Sequence, residues 1–313
     1  MAALPPSASA AGVEPASVRL DWLFRSYHAP FFLGVEKGWY RDAGIELKIE
    51  EGRGSGSVVQ LVGNQSDTFG FATADAVIRG VQNSIPVISI ATIMPANADS
   101  ILVLKRTGIT RPDALKGKTI ATTAGGTSDL LLPAFLQNAG LSLGDVTVVP
   151  LDAALKVPTL LQGKVDAMNG PVWTASDLAP VGGANVFLYA DYGVQVVGYG
   201  IVTGTETLRT KPDLVRRFVA VTLRAWSYAL MHPEEALAAL EKASPENAKP
   251  ETMQRNRLEL FEAFKLVRPA VPGEPFGMQS DAGWEQTQRL LFEYKAIKDR
   301  RPVGQYFTNQ FIQ

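Results

Sequence analysis

Gln60-Leu61-Val62-Gly63, with Asp67 just ahead of the apolar run 68–72, is answered later in the chain by Thr159-Leu160-Leu161-Gln162-Gly163, with Asp166 just ahead of Ala167-Met168. In both places apolar residues at helical spacing stop at glycine, the residue that most readily takes the left-handed conformation ending a helix. An aspartate then turns the chain into a strand. The recurrence predicts two similar α/β units, since two occurrences are too few for a solenoid.

The flanking sequence repeats the same order of elements. Residues 18–23 read as a short strand, 30–43 as a helix closed by Gly44, and 45–50 as an alternating strand followed by a glycine-serine loop at 52–57. A helical stretch at 58–63, a strand at 68–72, a helix at 74–81 and a β-branched strand at 86–94 complete the first unit. After Asn97 the pattern restarts, with strands at 100–105 and 119–123, a helix at 128–139 closed by Gly140, and a strand at 146–150. Such alternation predicts largely parallel sheets. Beyond an apolar strand at 194–202 the chain turns helical, with Pro212, Pro233 and Pro250 at positions where a first helical turn tolerates proline. A helical C-terminal third fits helices that cap the first unit after the chain has crossed back. The expected lobes are therefore 18–100 with 200–313, and 101–199, with hinges near 94–100 and 198–202.

Composition removes several functions. Lys+Arg 30 against Asp+Glu 31 leaves a net charge of -1 in 313 residues, with no cationic excess to draw nucleic acid or an anionic membrane. With Cys 0 there is no disulfide framework, thiolate metal site or cysteine nucleophile, and His 2 is too few for a histidine-rich metal centre. The apolar runs are far shorter than the roughly 18 residues of a membrane span. Residues 1–17, rich in Ala, Pro and Ser, are expected to be a disordered tail or the remnant of an export signal, with Ala8-Ser9-Ala10 in small-x-small form.

Candidate binding residues gather at the ends of strands, where ligands of parallel sheets bind. Asp21, Trp22, Tyr27 and His28 follow the first strand and suit stacking on a flat ligand with a carboxylate acceptor. Arg53, Ser55, Gly56 and Ser57 lie in a loop opening a helix, where backbone amides and one cation would meet an anion or a polar edge. Its glycines lack the spacing of a dinucleotide fingerprint. Thr123, Gly125, Gly126 and Thr127 form the second unit's counterpart, without the lysine of a phosphate loop or a nucleophile elbow. Thr73, Asp75 and Asn97 complete the first wall, and Trp173 and Tyr192 are apolar anchors at loops of the second. Each has a plain structural use as its alternative: a helix cap for Asp75, Thr127 or Ser128, a core ring for Trp22, a flexible connector for 52–57. Asp152 and Asp166 read as cap and turn residues, and His232 as a helix-terminus residue.

Leu20-Asp21-Trp22, His28, Glu36-Lys37-Gly38-Trp39-Tyr40, Gly44-Ile45, Gly54-Ser55-Gly56, Leu115-Lys116-Gly117-Lys118 and Gly163-Lys164-Val165-Asp166-Ala167 together resemble the solute-binding proteins of ABC importers for nitrate, sulfonates, taurine and thiamine-precursor pyrimidines. The resemblance covers about residues 18–230. It implies an α/β, two-lobed periplasmic-binding-protein fold of type II with two crossover strands. It further implies an exported, periplasmic monomer, with a membrane tether as the Gram-positive variant, which hands a small ligand to ABC permease subunits without cofactor or metal. The Leu20-Asp21-Trp22 and His28 spacing looks most like the pyrimidine-binding branch, making a nitrogen heteroaromatic the expected ligand and a sulfonate or other small anion, held by Arg53, the alternative. That branch also includes a yeast-type pyrimidine synthase with a cysteine-rich iron motif, for which Cys 0 leaves no ligands.

Overall fold

Ten strands among the described residues, 13–312 of the computed structural model, form two five-stranded sheets. In chain order they are β1 (Glu14–Arg19), β2 (Ile45–Glu50), β3 (Phe69–Thr73), β4 (Val87–Thr92), β5 (Asp99–Leu104), β6 (Thr119–Thr122), β7 (Thr147–Pro150), β8 (Ala167–Pro171), β9 (Ala184–Leu188) and β10 (Tyr199–Gly204). The first sheet runs β2-β1-β3-β10-β4 and the second β7-β6-β8-β5-β9. The orders correspond strand for strand, so the repeated passage in the sequence does mark a duplicated architecture.

The sheets are mixed and not largely parallel. β10 lies antiparallel to β3 and β4, and β5 antiparallel to β8 and β9. These are the two strands that enter a sheet directly from the other, and a chain arriving from the opposite side enters in the opposite sense. The connections between the sheets, residues 93–98 and 189–198, are tied together by Gly198 N donating to Met94 O at 3.0 Å and Asn97 N to Val196 O at 2.9 Å. A Cβ on Gly198 would stand 2.4 Å from Ala96 O, so the close approach of the two connections demands glycine there.

Local departures from the expected elements have identifiable causes. β1 starts at Glu14, because pairing with Ile45–Glu50 in register outweighs the tail-like composition and Lys211 and Arg217 grip the Glu14 carboxylate. Residues 1–12, with Ala8-Ser9-Ala10, lie outside the described residues. The helix read at 30–43 is two, Ala29–Glu36 and Trp39–Asp42, parted at Gly38 with φ 74. That at 128–139 is also two, Thr127–Leu130 and Leu132–Asn138. The helix Ser55–Gly63 runs through Gly63, and the left-handed residue behind it is Gln65, φ 66; Gly163 takes φ 70 itself.

Apolar side chains on alternate strand positions bury both faces of each sheet. In the second sheet Ile101, Ile120 and Ala167 face Leu132 and Phe135, while Leu102, Ala121 and Met168 face Leu160. The C-terminal helices Pro212–Met231 and Pro233–Ala243 pack on Ala29–Glu36, and Asp281–Glu293 on Ala74–Gln82. Helix Pro250–Phe264 touches both the segment 26–28 and the segment 172–178 beyond β8, bridging the two sheet systems.

Candidate ligand-binding site

Beyond β1 the chain turns through Asp21–Phe24 into a single helical turn, Ser26–His28, that buries its side chains. His28 Nε2 lies 2.7 Å from Asp21 Oδ1, the Tyr27 hydroxyl donates to Asp21 Oδ2 at 3.1 Å, and Arg25 N donates to His28 Nδ1 at 3.3 Å. With Nδ1 accepting, Nε2 carries the proton and donates to Asp21. The structure brings Asp21, Tyr27 and His28 together as a closed network that fixes the Tyr27 ring. That ring packs 4.5 Å from Trp173, which follows β8, and 6.5 Å from Tyr199, which opens β10; Trp173 and Tyr199 are 5.8 Å apart. Three segments, one of them from the other sheet, thus deliver aromatic faces to one place. Trp22 takes no part in this cluster: it stands 37% exposed on the turn.

The seam where the two walls meet is polar. At the start of Ala74–Gln82, Asp75 Oδ2 accepts from Thr127 Oγ1 at 2.6 Å and from Arg79 Nη2 at 2.7 Å, while Arg79 Nη1 donates to Gly125 O at 3.3 Å. The N-cap of Thr127–Leu130 is Gly126, so the Thr127 and Ser128 hydroxyls do not cap as the sequence suggested. Ser128 donates instead to Asp99 at the head of β5, and Asn97 Nδ2 donates to the other Asp99 oxygen at 2.7 Å. Burial, against the Ser128 hydrogen bond and with Asp75 nearby, pushes the Asp99 carboxyl up to about 7. Lys156, 7% exposed, gives hydrogen bonds to Asn169 O at 2.8 Å and Asn169 Oδ1 at 2.9 Å. Burial lowers its pKa to about 8, countered by Asp99 and Asp129. Desolvation first, then Asp21, Asp99 and Asp75, hold the Tyr199 hydroxyl well above the usual phenol range, which places the ring within the field of carboxylates from both walls. Four buried polar atoms along this seam have no protein partner: Asp75 Oδ1, Thr122 Oγ1, Thr123 Oγ1 and Asn169 Nδ2. Buried polar atoms in native proteins are nearly always hydrogen-bonded, so these four retain unused hydrogen-bonding capacity.

The remaining candidates lie apart or serve structure. Gly52 N and Gly54 N bond to Trp22 O and Asp21 O, and a Cβ on Gly52 would collide with Leu20 O, so this loop is shaped by packing against the end of β1. Ser55 Oγ accepts from Thr73 N and Ser57 Oγ donates to Gly54 O. Gly56 is exposed, as is Arg53, which sits in an outer depression with Glu50 and Glu51. Tyr192 belongs to the second core, against Phe135 and Phe187. Asp152 caps Ala153–Leu161 through Ala154 N, Asp166 accepts from Thr119 N, and His232 joins two helices, as read from the sequence. Sequence reasoning missed Asp99, Ser128, Lys156, Asn169 and Tyr199. Lys156 did carry a signal: it stands one turn before the buried Leu160, a charge in an apolar phase. Outside the seam, Arg25 bonds Glu259 Nε to Oε1 at 2.7 Å and Asp177 across the sheets at 3.3 Å; against burial, which acts to lower it, these carboxylates hold its pKa above the ordinary value.

Two α/β sheets exchanging strands through paired connections, with a polar and aromatic seam between them, are the architecture of periplasmic solute-binding proteins. The periplasmic aliphatic sulphonate binding protein SsuA from Escherichia coli superposes with a TM-score of 0.73 over 93% of this chain and 91% of its own, at 19% identity, which shows the fold. The chain belongs to the NMT1/THI5-like family, whose pattern matches residues 25–236. It is 25% identical to the riboflavin-binding protein RibY of Chloroflexus aurantiacus, covering 99% of this chain and 91% of that protein. It is 23% identical to the 4-amino-5-hydroxymethyl-2-methylpyrimidine phosphate synthase of Legionella pneumophila, covering 94% and 90%.

Proposed function

We propose that this protein is the extracytoplasmic receptor of an ABC importer, enclosing a flat nitrogen heteroaromatic between its two sheets and presenting it to permease subunits as a monomer. The observation that carries the reading is the meeting of Tyr27, Trp173 and Tyr199, rings contributed by both walls, beside the unpartnered Asp75 Oδ1. Aromatic faces take a flat ring, and a carboxylate oxygen takes an N–H donor from its edge. The two family relatives carry names that speak of flavin and aminopyrimidine, both flat nitrogen heterocycles. A sulfonate is less well served, because Asp21, Asp75 and Asp99 lie about the seam, its cations Arg79 and Lys156 are already engaged by Asp75, Gly125 O and Asn169, and Arg53 shares an exposed depression with Glu50 and Glu51. The residues 93–98 and 189–198 are the hinge, and a ligand touching both walls favours the closed arrangement through its differential affinity.

Receptor and not enzyme is the reading that His28 supports, since both its ring nitrogens are engaged within the protein. The test is calorimetric titration with riboflavin, 4-amino-5-hydroxymethyl-2-methylpyrimidine and ethanesulfonate, followed by mass spectrometry of the recovered ligand. A heterocycle bound and recovered unchanged is expected; binding of ethanesulfonate alone, or chemical conversion of the ligand, would overturn the reading.

A further inference from the structure

Lys156 and Asn169 are joined by two buried hydrogen bonds in the second wall, and the constraint has a direction. The Lys156 ammonium binds both oxygens of Asn169, backbone and side chain, so the orientation of the amide is fixed and Nδ2 is the atom left over. Asn169 is 1% exposed and Nδ2 has no partner. On the neighbouring strand Ala121 pairs with Met168, which sets Thr122 beside Asn169 on the same face of the sheet. Thr122, also 1% exposed, has an unpartnered hydroxyl. Both residues sit at the carboxyl ends of parallel strands, the edge from which Trp173 reaches Tyr27.

Resting on the receptor reading, we infer that Asn169 Nδ2 and Thr122 Oγ1 form a subsite for a neutral carbonyl oxygen of the ligand, with Lys156 as the residue that positions the Asn169 amide. Two adjacent donors suit one acceptor. The Lys156 charge lies in the field of Asp99 and Asp129, so a second anion here would face carboxylates, whereas a carbonyl meets the donors without that repulsion. The ligand class follows: a heteroaromatic whose edge donates N–H to the first wall and whose ring carbonyl or acyl substituent accepts from the second. Most hydrogen bonds between neutral groups contribute about 0.5–1.5 kcal/mol, or two- to tenfold in affinity each.

The subsite is tested with a matched pair of probes, 4-amino-5-aminomethyl-2-methylpyrimidine and its N-formyl derivative, with ethanesulfonate as a third, titrated calorimetrically into the intact protein. Wild type is expected to prefer the formyl compound roughly tenfold or more. Lys156→Met and Asn169→Leu should abolish the preference. Both replace buried, hydrogen-bonded residues, so Thr122→Val, isosteric and costing no internal bond, is the independent arm: it should cut the preference severalfold at an unchanged melting temperature. Equal binding of the two pyrimidines by wild type, or a preference that Thr122→Val and Asn169→Leu leave unmoved, would overturn the subsite and spare the receptor reading. Tight ethanesulfonate binding with neither pyrimidine bound would overturn both.

Discussion

Thr127 Oγ1 donates a 2.6 Å hydrogen bond to Asp75 Oδ2, joining the helix after β3 in one sheet to the short helix Thr127–Leu130 after β6 in the other. The two residues do not occupy equivalent places in the duplicated architecture, because β3 corresponds to β8 in the second sheet and β6 to β1 in the first. A bond of this kind exists only while the walls touch. Thr127→Val should therefore loosen the closed arrangement, raising the ligand-bound radius of gyration in small-angle scattering and weakening heterocycle affinity by about 0.5–1.5 kcal/mol or more, since the acceptor is charged. An unchanged scattering profile and affinity would mean that the contact is incidental.

The ring cluster separates two tryptophans that the sequence alone does not rank. Trp173, 3% exposed, packs on Tyr27 and Tyr199, whereas Trp22 is exposed on the outer turn. Trp173→Ala should lower heterocycle affinity by at least tenfold, the stacking contribution of about 0.5–1.5 kcal/mol adding to lost apolar burial. Trp22→Ala should change it less than about twofold. Calorimetry on the two variants side by side checks this, and the reverse ranking would restore the turn as part of the site.

Asp99 gives stability a pH dependence of defined sign. Its carboxyl is raised from 3.8 to about 7, so between those values the folded protein holds a proton that the unfolded chain has released. Stability from this group is full below pH 3.8 and declines as pH rises to about 7, each unit of displacement corresponding to about 1.4 kcal/mol. Asp99→Asn should flatten that decline. Urea unfolding of wild type and variant from pH 4 to pH 8 measures it, and parallel curves would contradict the shift.

Arg53 is the cation that the sequence offers to an anionic ligand, yet it is exposed and shares its depression with Glu50 and Glu51. Arg53→Gln should leave the affinity of every probe within about twofold, because an exposed cation near carboxylates contributes little. A tenfold loss toward ethanesulfonate would show that the anion alternative is right.

The legible part of this molecule is the part written in local periodicity and punctuation. Gly163 and Asp166 mark a helix end and a strand start where the chain makes them, and the recurrence of that passage is the duplicated sheet order. The antiparallel placement of β5 and β10 is set by which sheet a strand comes from, a long-range fact with no local signature. The site divides in the same way. Asp21, Tyr27 and His28 are close in sequence and their association is readable from spacing. Asp99, Ser128, Lys156 and Asn169 belong to four separate segments, and only folding reveals that they share a seam. Tyr192 and Trp173 look alike in sequence, as rings at loops, and are told apart only by which core receives them.

The exchange of strands has a consequence for how the chain is made. β10 stands between β3 and β4 in the first sheet, yet it lies downstream of every strand of the second. When the ribosome has released residues 13–92, four strands of the first sheet exist, and the central gap between β3 and β4 stays unfilled until the whole second sheet has been synthesised. Folding during synthesis proceeds from the N-terminus, so here the first sheet waits with two open inner edges while the second, whose five strands are contiguous, completes itself first. Of the two sheets only the second could be cut out as one continuous piece of chain, whereas the first needs segments from both sides of it.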